Sequence, residues 1–255
     1  MEFQISDKKK CETFIHIFAN LKYFTDNVLI RVDEEKMYIQ GMDNSHVCVY
    51  ELTLDKSWFS SWQVPEPFDF GVFLPTFNKI IHTWSEKQTI EMCATNADTL
   101  DIEFTSEVKG EFDKFFQLPL MDIECDVLGI PDTEYEADIT LESDKLKHII
   151  GELASFNDTI QFNCNEERLD IYATSSEGSM KVTMNVDDIE QLAVVEGESI
   201  EASFSIKYIA NMCQFYKISP NCTIHMSKDV PIQFKYEIAD ACSMVFYLAP
   251  KITDV

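Results

Sequence analysis

Four stretches of the chain repeat an apolar residue at i, i+3, i+4 and i+7, the spacing that lines one face of an α-helix. They are Phe14, Ile17, Phe18 and Leu21; Phe77, Ile80, Ile81 and Trp84; Leu146, Ile149, Ile150 and Leu153; and Ile209, Met212, Cys213 and Tyr216. Ser6-Asp7, Pro75-Thr76 and Ser143-Asp144 give the first three the start signals a helix needs. Elsewhere the alternation has period two, the mark of half-buried antiparallel strands. It runs through Val28–Val32, Val47–Leu54, Ile90–Ala94, Leu100–Phe104, Thr159–Cys164, Thr223–Ser227 and Ile232–Ile238. A helix with one apolar stripe must bury it against another element. The pattern therefore predicts an α+β fold of many short strands with helices laid on sheets.

The third helical set stands 132 residues after the first, and the fourth 132 after the second. The intervening chain keeps the register. Phe24-Thr25-Asp26 matches Phe156-Asn157-Asp158, and Lys36-Met37-Tyr38-Ile39 matches Arg168-Leu169-Asp170-Ile171. The sequence reads as a tandem duplication with an N-terminal domain at 1–118 and a C-terminal domain at 136–255. A connector at 119–135 joins them, bracketed by Pro119 and Pro131 and expected to be extended. Leu128 and Ile130 flank a glycine on it and are expected to be presented rather than fully buried. Asp187–Ser199 reads as a loop.

Composition removes several classes of function. No apolar run approaches the roughly 18 residues that span a bilayer. The polar start, Met1 to Lys10, is unlike a secretory signal, so a soluble intracellular protein with no membrane partner is expected. The eight cysteines form no Cys-x-x-Cys pair and have no zinc-finger spacing to histidine; they read as reduced, buried thiols. No phosphate-binding glycine loop, nucleophile elbow or His-Glu-x-x-His is present. No catalytic residue, metal ligand or cofactor is predicted.

The chain carries 45 acidic and 20 basic residues, a net charge of −25. Alone that argues against nucleic acid, but the positive charge is unevenly placed. Lys8–Phe24 is +3, Pro75–Trp84 is +1, Ser143–Phe156 is neutral and Ser205–Lys217 is +2. The helical segments together carry +6 and the rest of the chain −31. Helices that face a polyanion from an acidic body would hold it loosely and through its phosphates.

Gly41-Met-Asp-Asn-Ser-His-Val47 resembles the proliferating cell nuclear antigen family. So do Asn96-Ala-Asp-Thr-Leu100, Leu120-Met-Asp122, Leu128-Gly-Ile-Pro131, Asp229-Val-Pro231, Tyr236-x-Ile-Ala-Asp240 and Tyr247-Leu-Ala-Pro-Lys-Ile252. The blocks span essentially the whole chain in order. The resemblance implies a DNA sliding clamp: a homotrimeric ring of six similar domains, sheets outside, helices lining a central channel. It implies Lys22, Lys79, Lys147, His148 and Lys207 in that channel. It implies a pocket for partner peptides from Met42, His46, Val47, Val49, Leu128, Ile130, Pro131, Tyr135, Pro231, Tyr247, Leu248, Ala249, Pro250 and Ile252. Subunits would meet strand to strand, Asp113, Phe116 and Leu118 against Gly178, Met180 and Val182. The implied partners are duplex DNA, a DNA polymerase and other replication and repair proteins, and an ATP-dependent clamp loader, in the nucleus or another intracellular site of DNA replication.

The sequence departs from the family in places. An acidic, proline-rich Gln63-Val-Pro-Glu-Pro67 stands where the family has a basic stretch. His82, Gly151 and Gln214 occupy channel positions that are basic in the family, and Glu166 stands at the position of its modification-accepting lysine. These suggest a divergent member with a weaker grip on DNA. Two rival readings remain at this stage: an acidic two-domain peptide-binding adaptor, and a subunit of a checkpoint-type hetero-oligomeric ring.

Overall fold

The computed structural model describes residues 1–96 and 98–251. The chain divides into two compact units. The first comprises Met1–Asn44, Glu51–Leu128 and Ala239–Ser243; the second comprises Ser45–Tyr50, Gly129–Ile238 and the C-terminal stretch from Met244.

In chain order the first half has β1 (Glu2–Ile5), α1 (Lys8–Leu21), β2 (Asn27–Val32), β3 (Lys36–Met42), β4 (Cys48–Asp55), β5 (Ser61–Gln63), β6 (Phe68–Phe73), α2 (Leu74–Ile81), β7 (Thr89–Cys93), β8 (Thr99–Thr105) and β9 (Lys114–Pro119). Its strands follow the orders β5-β1-β7-β8-β9 and β4-β3-β2-β6, with antiparallel pairing such as Ile5 opposite Ile90 and Ile30 opposite Phe70.

The second half has β10 (Ala137–Glu142), α3 (Ser143–Leu153), β11 (Thr159–Cys164), β12 (Arg168–Ser175), β13 (Gly178–Asn185), β14 (Gln191–Val194), β15 (Ile200–Ser205), α4 (Ile206–Met212), β16 (Asn221–Met226), β17 (Ile232–Ala239) and β18 (Cys242–Leu248). The orders repeat element for element: β14-β10-β16-β17-β18 and β13-β12-β11-β15. A 3₁₀ turn, Cys213–Lys217, prolongs α4. The stretch expected as a loop, Asp187–Ser199, contains β14, whose register runs Ala137 to Val194 and Thr140 to Gln191. Period two was hard to see there because Gln191–Val194 is only half-buried at its most protected positions.

The helix starts follow from local chemistry. Asp7 caps α1 by accepting from the Lys10 amide at 2.9 Å. Pro75 sits in the first turn of α2, where a missing N–H costs nothing. In the first unit the helices meet through aromatic rings: Phe18 lies 4.9 Å from Phe77 and 4.7 Å from Phe14. In the second the equivalent positions are Leu146, Ile150 and Ile209, all buried. No helix among the described residues is long and apolar enough to cross a membrane.

One expectation about burial needs correcting. Cys125 is exposed, unlike the buried thiols at 11, 48, 164, 213, 222 and 242, because it lies on a connector without a regular partner strand. Of the residues expected at a subunit edge, Phe116 and Leu118 lie on the core side of β9. In the register of β8 and β9 they stand opposite Ile102 and Leu100; Phe116 stacks 5.5 Å from Phe104 and Leu118 is buried. The outward apolar side chains of this edge are Phe112 and Phe115, 79% and 66% exposed.

Candidate functional site

The face of each helix away from its sheet carries the lysines. Lys22 closes α1 and lies 5.3 Å from the ring of Tyr23. Lys79 is exposed in the last turn of α2. Lys207 is exposed in the first turn of α4. Lys147, half-buried on α3, has its Nζ 3.8 Å from the centroid of Tyr216. None of these four has a carboxylate within ion-pair distance among the described residues, whereas Lys56, Lys145, Lys181 and Lys235 each do. His148 instead turns to Glu152 on its own helix, with Nε2 to Oε1 3.2 Å.

The residues expected for peptide binding fall in both compact units. In the second, the segment 45–50 is tied to the C-terminal strand end: the Ala249 amide donates to the Val47 carbonyl at 3.0 Å. Val47 and Ala249 are exposed, Val49, Tyr247 and Pro250 half-buried, and Leu248 buried. Leu248 packs into the core and holds the strand in place. His46 adopts φ 57° and Asp229, just before Val230 and Pro231, φ 58°, a left-handed region that His and Asp enter more readily than most residues. Ile130 and Tyr135 are half-buried and Pro131 and Pro231 exposed. Tyr135 lies 5.5 Å from His225, whose Nδ1 is 2.5 Å from Asp138; burial pushes the Tyr135 phenol pKa up. Ile252 lies outside the described residues. Beyond Pro250 the chain is fastened by the Lys251 amide to the Ser203 carbonyl at 2.7 Å.

In the first unit, Met42 ends β3 and Leu128 is held by Gln40. The Gln40 amide donates to the Leu128 carbonyl at 3.0 Å and accepts from the Leu128 N–H at 2.7 Å. Upstream, the Arg31 guanidinium donates to the Cys125 carbonyl, and Met121 exchanges both backbone hydrogen bonds with Gly71. A Cβ on Gly71 would come within 2.6 Å of the Ile123 side chain and closer still to the Met121 carbonyl oxygen. These anchors were not singled out in the sequence. A glycine inside a strand of a chain with seven glycines was the available signal.

A cavity of about 320 Å³ lies beside α3 and β13, lined by Leu141, Lys145, Leu146, Ile149 and Met184 among others. It shares no residue with the expected peptide face. β9 and β13 each end a sheet, so each presents unpaired backbone groups. Among the described residues no group of three or more His, Cys, Asp or Glu side chains is placed to hold a metal ion.

Two units of identical strand order, each with a helix pair bearing unpaired lysines, define a duplicated clamp fold. Residues 7–128 match the family model of the proliferating cell nuclear antigen N-terminal domain, and residues 129–251 that of its C-terminal domain. The chain belongs to the proliferating cell nuclear antigen family, the DNA sliding clamps. It is 30% identical over 222 residues to the proliferating cell nuclear antigen of Chaetomium thermophilum, covering 85% of each chain. The crystal structure of the Entamoeba histolytica protein of the same name superposes with a TM-score of 0.88 at 22% identity, over 98% of both chains.

Proposed function

We propose that this chain is the subunit of a homotrimeric clamp that encircles duplex DNA in the nucleus and confers processivity on a replicative polymerase. The observation that carries the reading is the set of helix lysines without carboxylate partners in a chain with 45 acidic residues. Among the described residues Lys8, Lys56, Lys87, Lys145, Lys181 and Lys235 have a carboxylate within ion-pair distance; Lys22, Lys79, Lys147 and Lys207 do not, and are left for an anion from outside. A closed ring holds DNA by topology, so a few phosphate contacts without base readout suffice and permit sliding. Copies join through the edges of β9 and β13, with Phe115 and Phe112 supplying apolar area and Gly178, Met180 and Val182 receiving it. An ATP-dependent loader opens the ring. In the second unit the strand end Tyr247–Pro250, the 45–50 segment and Ile130 take up short partner peptides carrying aromatic side chains, and through them polymerase and repair proteins.

Light scattering tests the assembly. The expected result is a particle near three times 29.4 kDa; a monomer at micromolar concentration would overturn it. Retention on nicked circular DNA, with release when the circle is cut, separates a ring from an adaptor that binds peptides without enclosing DNA.

A further inference from the structure

We propose that the cavity between α3 and β13 receives a tryptophan side chain of a partner peptide, presented between lysine or arginine residues. The cavity holds about 320 Å³, at the lower end of the range that takes up a ligand. Leu141 and Leu146 are buried in its wall, and Ile149 and Met184 are half-buried there. Its residues all lie in the second unit, and none belongs to the peptide face described above.

The duplicated first unit shows what this space is shaped for. A short 3₁₀ turn, Lys56–Trp58, follows β4, and its counterpart, Val186–Asp188, follows β13. The two turns are tied alike. The Lys56 amide donates to the Glu35 carbonyl at 2.8 Å, and the Val186 amide to that of Glu167 at 2.9 Å. The next residue closes each turn, Phe59 on Lys56 at 3.2 Å and Ile189 on Val186 at 3.3 Å, and both are buried. The third residue of the turn differs. In the first unit it is Trp58, 3% exposed, with its ring 6.5 Å from Phe14 of α1. In the second it is Asp188, which is exposed. Leu146, which takes the place of Phe14 on α3, lines the cavity together with it. The indole that closes the first unit is missing from the second, and the space stays open.

The charge has changed with it. In the first unit the Lys10 Nζ stands 5.8 Å from the centre of the Trp58 ring and donates to the Trp58 carbonyl at 2.7 Å. At the 132-residue offset Glu142 takes the place of Lys10, and it lines the cavity with Asp188 and Glu190. The lysine of the lining, Lys145, is paired with Glu142 at 2.7 Å. Asp188 and Glu190 are exposed and form no ion pair among the described residues. An apolar pocket rimmed by carboxylates favours an aromatic side chain that brings its own cations. The same rim disfavours a second copy as the occupant. Phe112 is 79% exposed but is flanked by Glu111 and Asp113, whose carboxylates would meet Asp188 and Glu190.

The test is fluorescence anisotropy of two labelled peptides, Lys-Lys-Trp-Lys-Lys and Lys-Lys-Ala-Lys-Lys, on the full protein, with a thermal melt of every variant. The tryptophan peptide should bind about 10-fold or more tightly than the alanine peptide. Asp188→Trp supplies the missing indole from within, so it should raise the melting temperature and remove the preference for tryptophan. Ile149→Trp blocks the cavity from the helix side and carries the same expectation for binding should the first variant fail to fold. Asp188→Lys leaves the cavity open and should weaken both peptides about 2–5-fold while their ratio holds. Equal affinity of the two peptides for the wild type, or a preference that survives both tryptophan variants, would overturn the site. Tryptamine competing as well as the tryptophan peptide would replace it with a small-molecule site. A preference that emerges only in Phe112→Ala would show that a neighbouring copy fills the cavity, and would overturn it too. None of these results bears on light scattering or on retention by circular DNA, which test the clamp itself.

Discussion

Asp170, on β12, is buried to 6% exposure and accepts from Thr183 Oγ1 at 2.6 Å, with Lys181 at 2.9 Å and Arg168 at 3.2 Å. Burial pushes its pKa up, but the hydrogen bonds from Thr183 and Lys181 and the two cations outweigh burial and hold it below the ordinary carboxylate value. A folded pKa lowered in this way contributes stability that is present above the unfolded value and is lost as pH falls through the folded one. Asp170→Asn should therefore cost about 1–3 kcal/mol at neutral pH. The difference from wild type should shrink as urea unfolding is repeated below the ordinary carboxylate range; a difference constant with pH would show that the charge is irrelevant. At Gly71 an added methyl meets backbone, which cannot rotate away. Gly71→Ala should cost roughly 1–3 kcal/mol by displacing the connector that carries Leu128, measurable by chemical denaturation. The thiols sort by burial, which raises Cys11 and Cys222 to about 12 and Cys164 to about 11. Iodoacetamide on the native protein should label the exposed Cys125 first, as mass spectrometry would show. Little of this was legible beforehand. Composition gave the thiols one common character, and a side chain such as Gln40, whose role is to match a distant backbone, leaves no periodic trace.

At the scale of elements the outcome depended on how much of a face is buried. α1 and α3 were readable because four or five apolar positions recur over several turns. β1 was not: Phe3 and Ile5 are its two inward residues, and they sit in a stretch, Met1–Lys10, that reads as polar. In β9, Phe115, Phe116 and Leu118 offer apolar residues to both sides, and the pairing with β8 sets Phe116 and Leu118 on the core side. The helix pairs show the same architecture filled with different side chains. Phe14, Phe18 and Phe77 form a ring cluster in the first unit, and aliphatic residues replace it in the second. Truncating a fully buried ring there removes both transfer energy and packing. Phe18→Ala should destabilise by about 3–5 kcal/mol, and Ile150→Val, a single methylene in the other pair, by about 0.5–1.5 kcal/mol. Chemical denaturation of the two variants checks the ranking; equal losses would show that the aromatic cluster holds the first helix pair no more strongly than ordinary aliphatic packing.

For the whole molecule, the 132-residue offset made the duplication visible, and the two matched strand orders follow it. The sequence did not reveal how the charge is spent: the same lysine count could have been absorbed by carboxylates, and only the side-chain geometry separates paired from unpaired. That distinction decides the last prediction. Lys79 and Lys207 are exposed, carry no ion pair among the described residues and sit on helices of different units. Reversing them removes two attractive charges and adds two repulsive ones, while exposed positions contribute little to folding. Lys79→Glu with Lys207→Glu should leave the assembly and peptide binding intact. It should abolish stimulation of a polymerase by the loaded clamp on long templates, and any residual DNA binding should lose about 0.9 in salt slope for each phosphate contact given up. Glu190 and Glu196 are exposed on either side of β14, away from the helix lysines in sequence, and belong to the acidic body. Reversing those two to lysine makes the same change in magnitude of charge with opposite sign. If proximity to DNA is what matters, this control should support synthesis as well as the wild type. A helix double variant that remains fully processive, or a Glu190 and Glu196 variant that is the one to fail, would place the DNA contact elsewhere than on the helices.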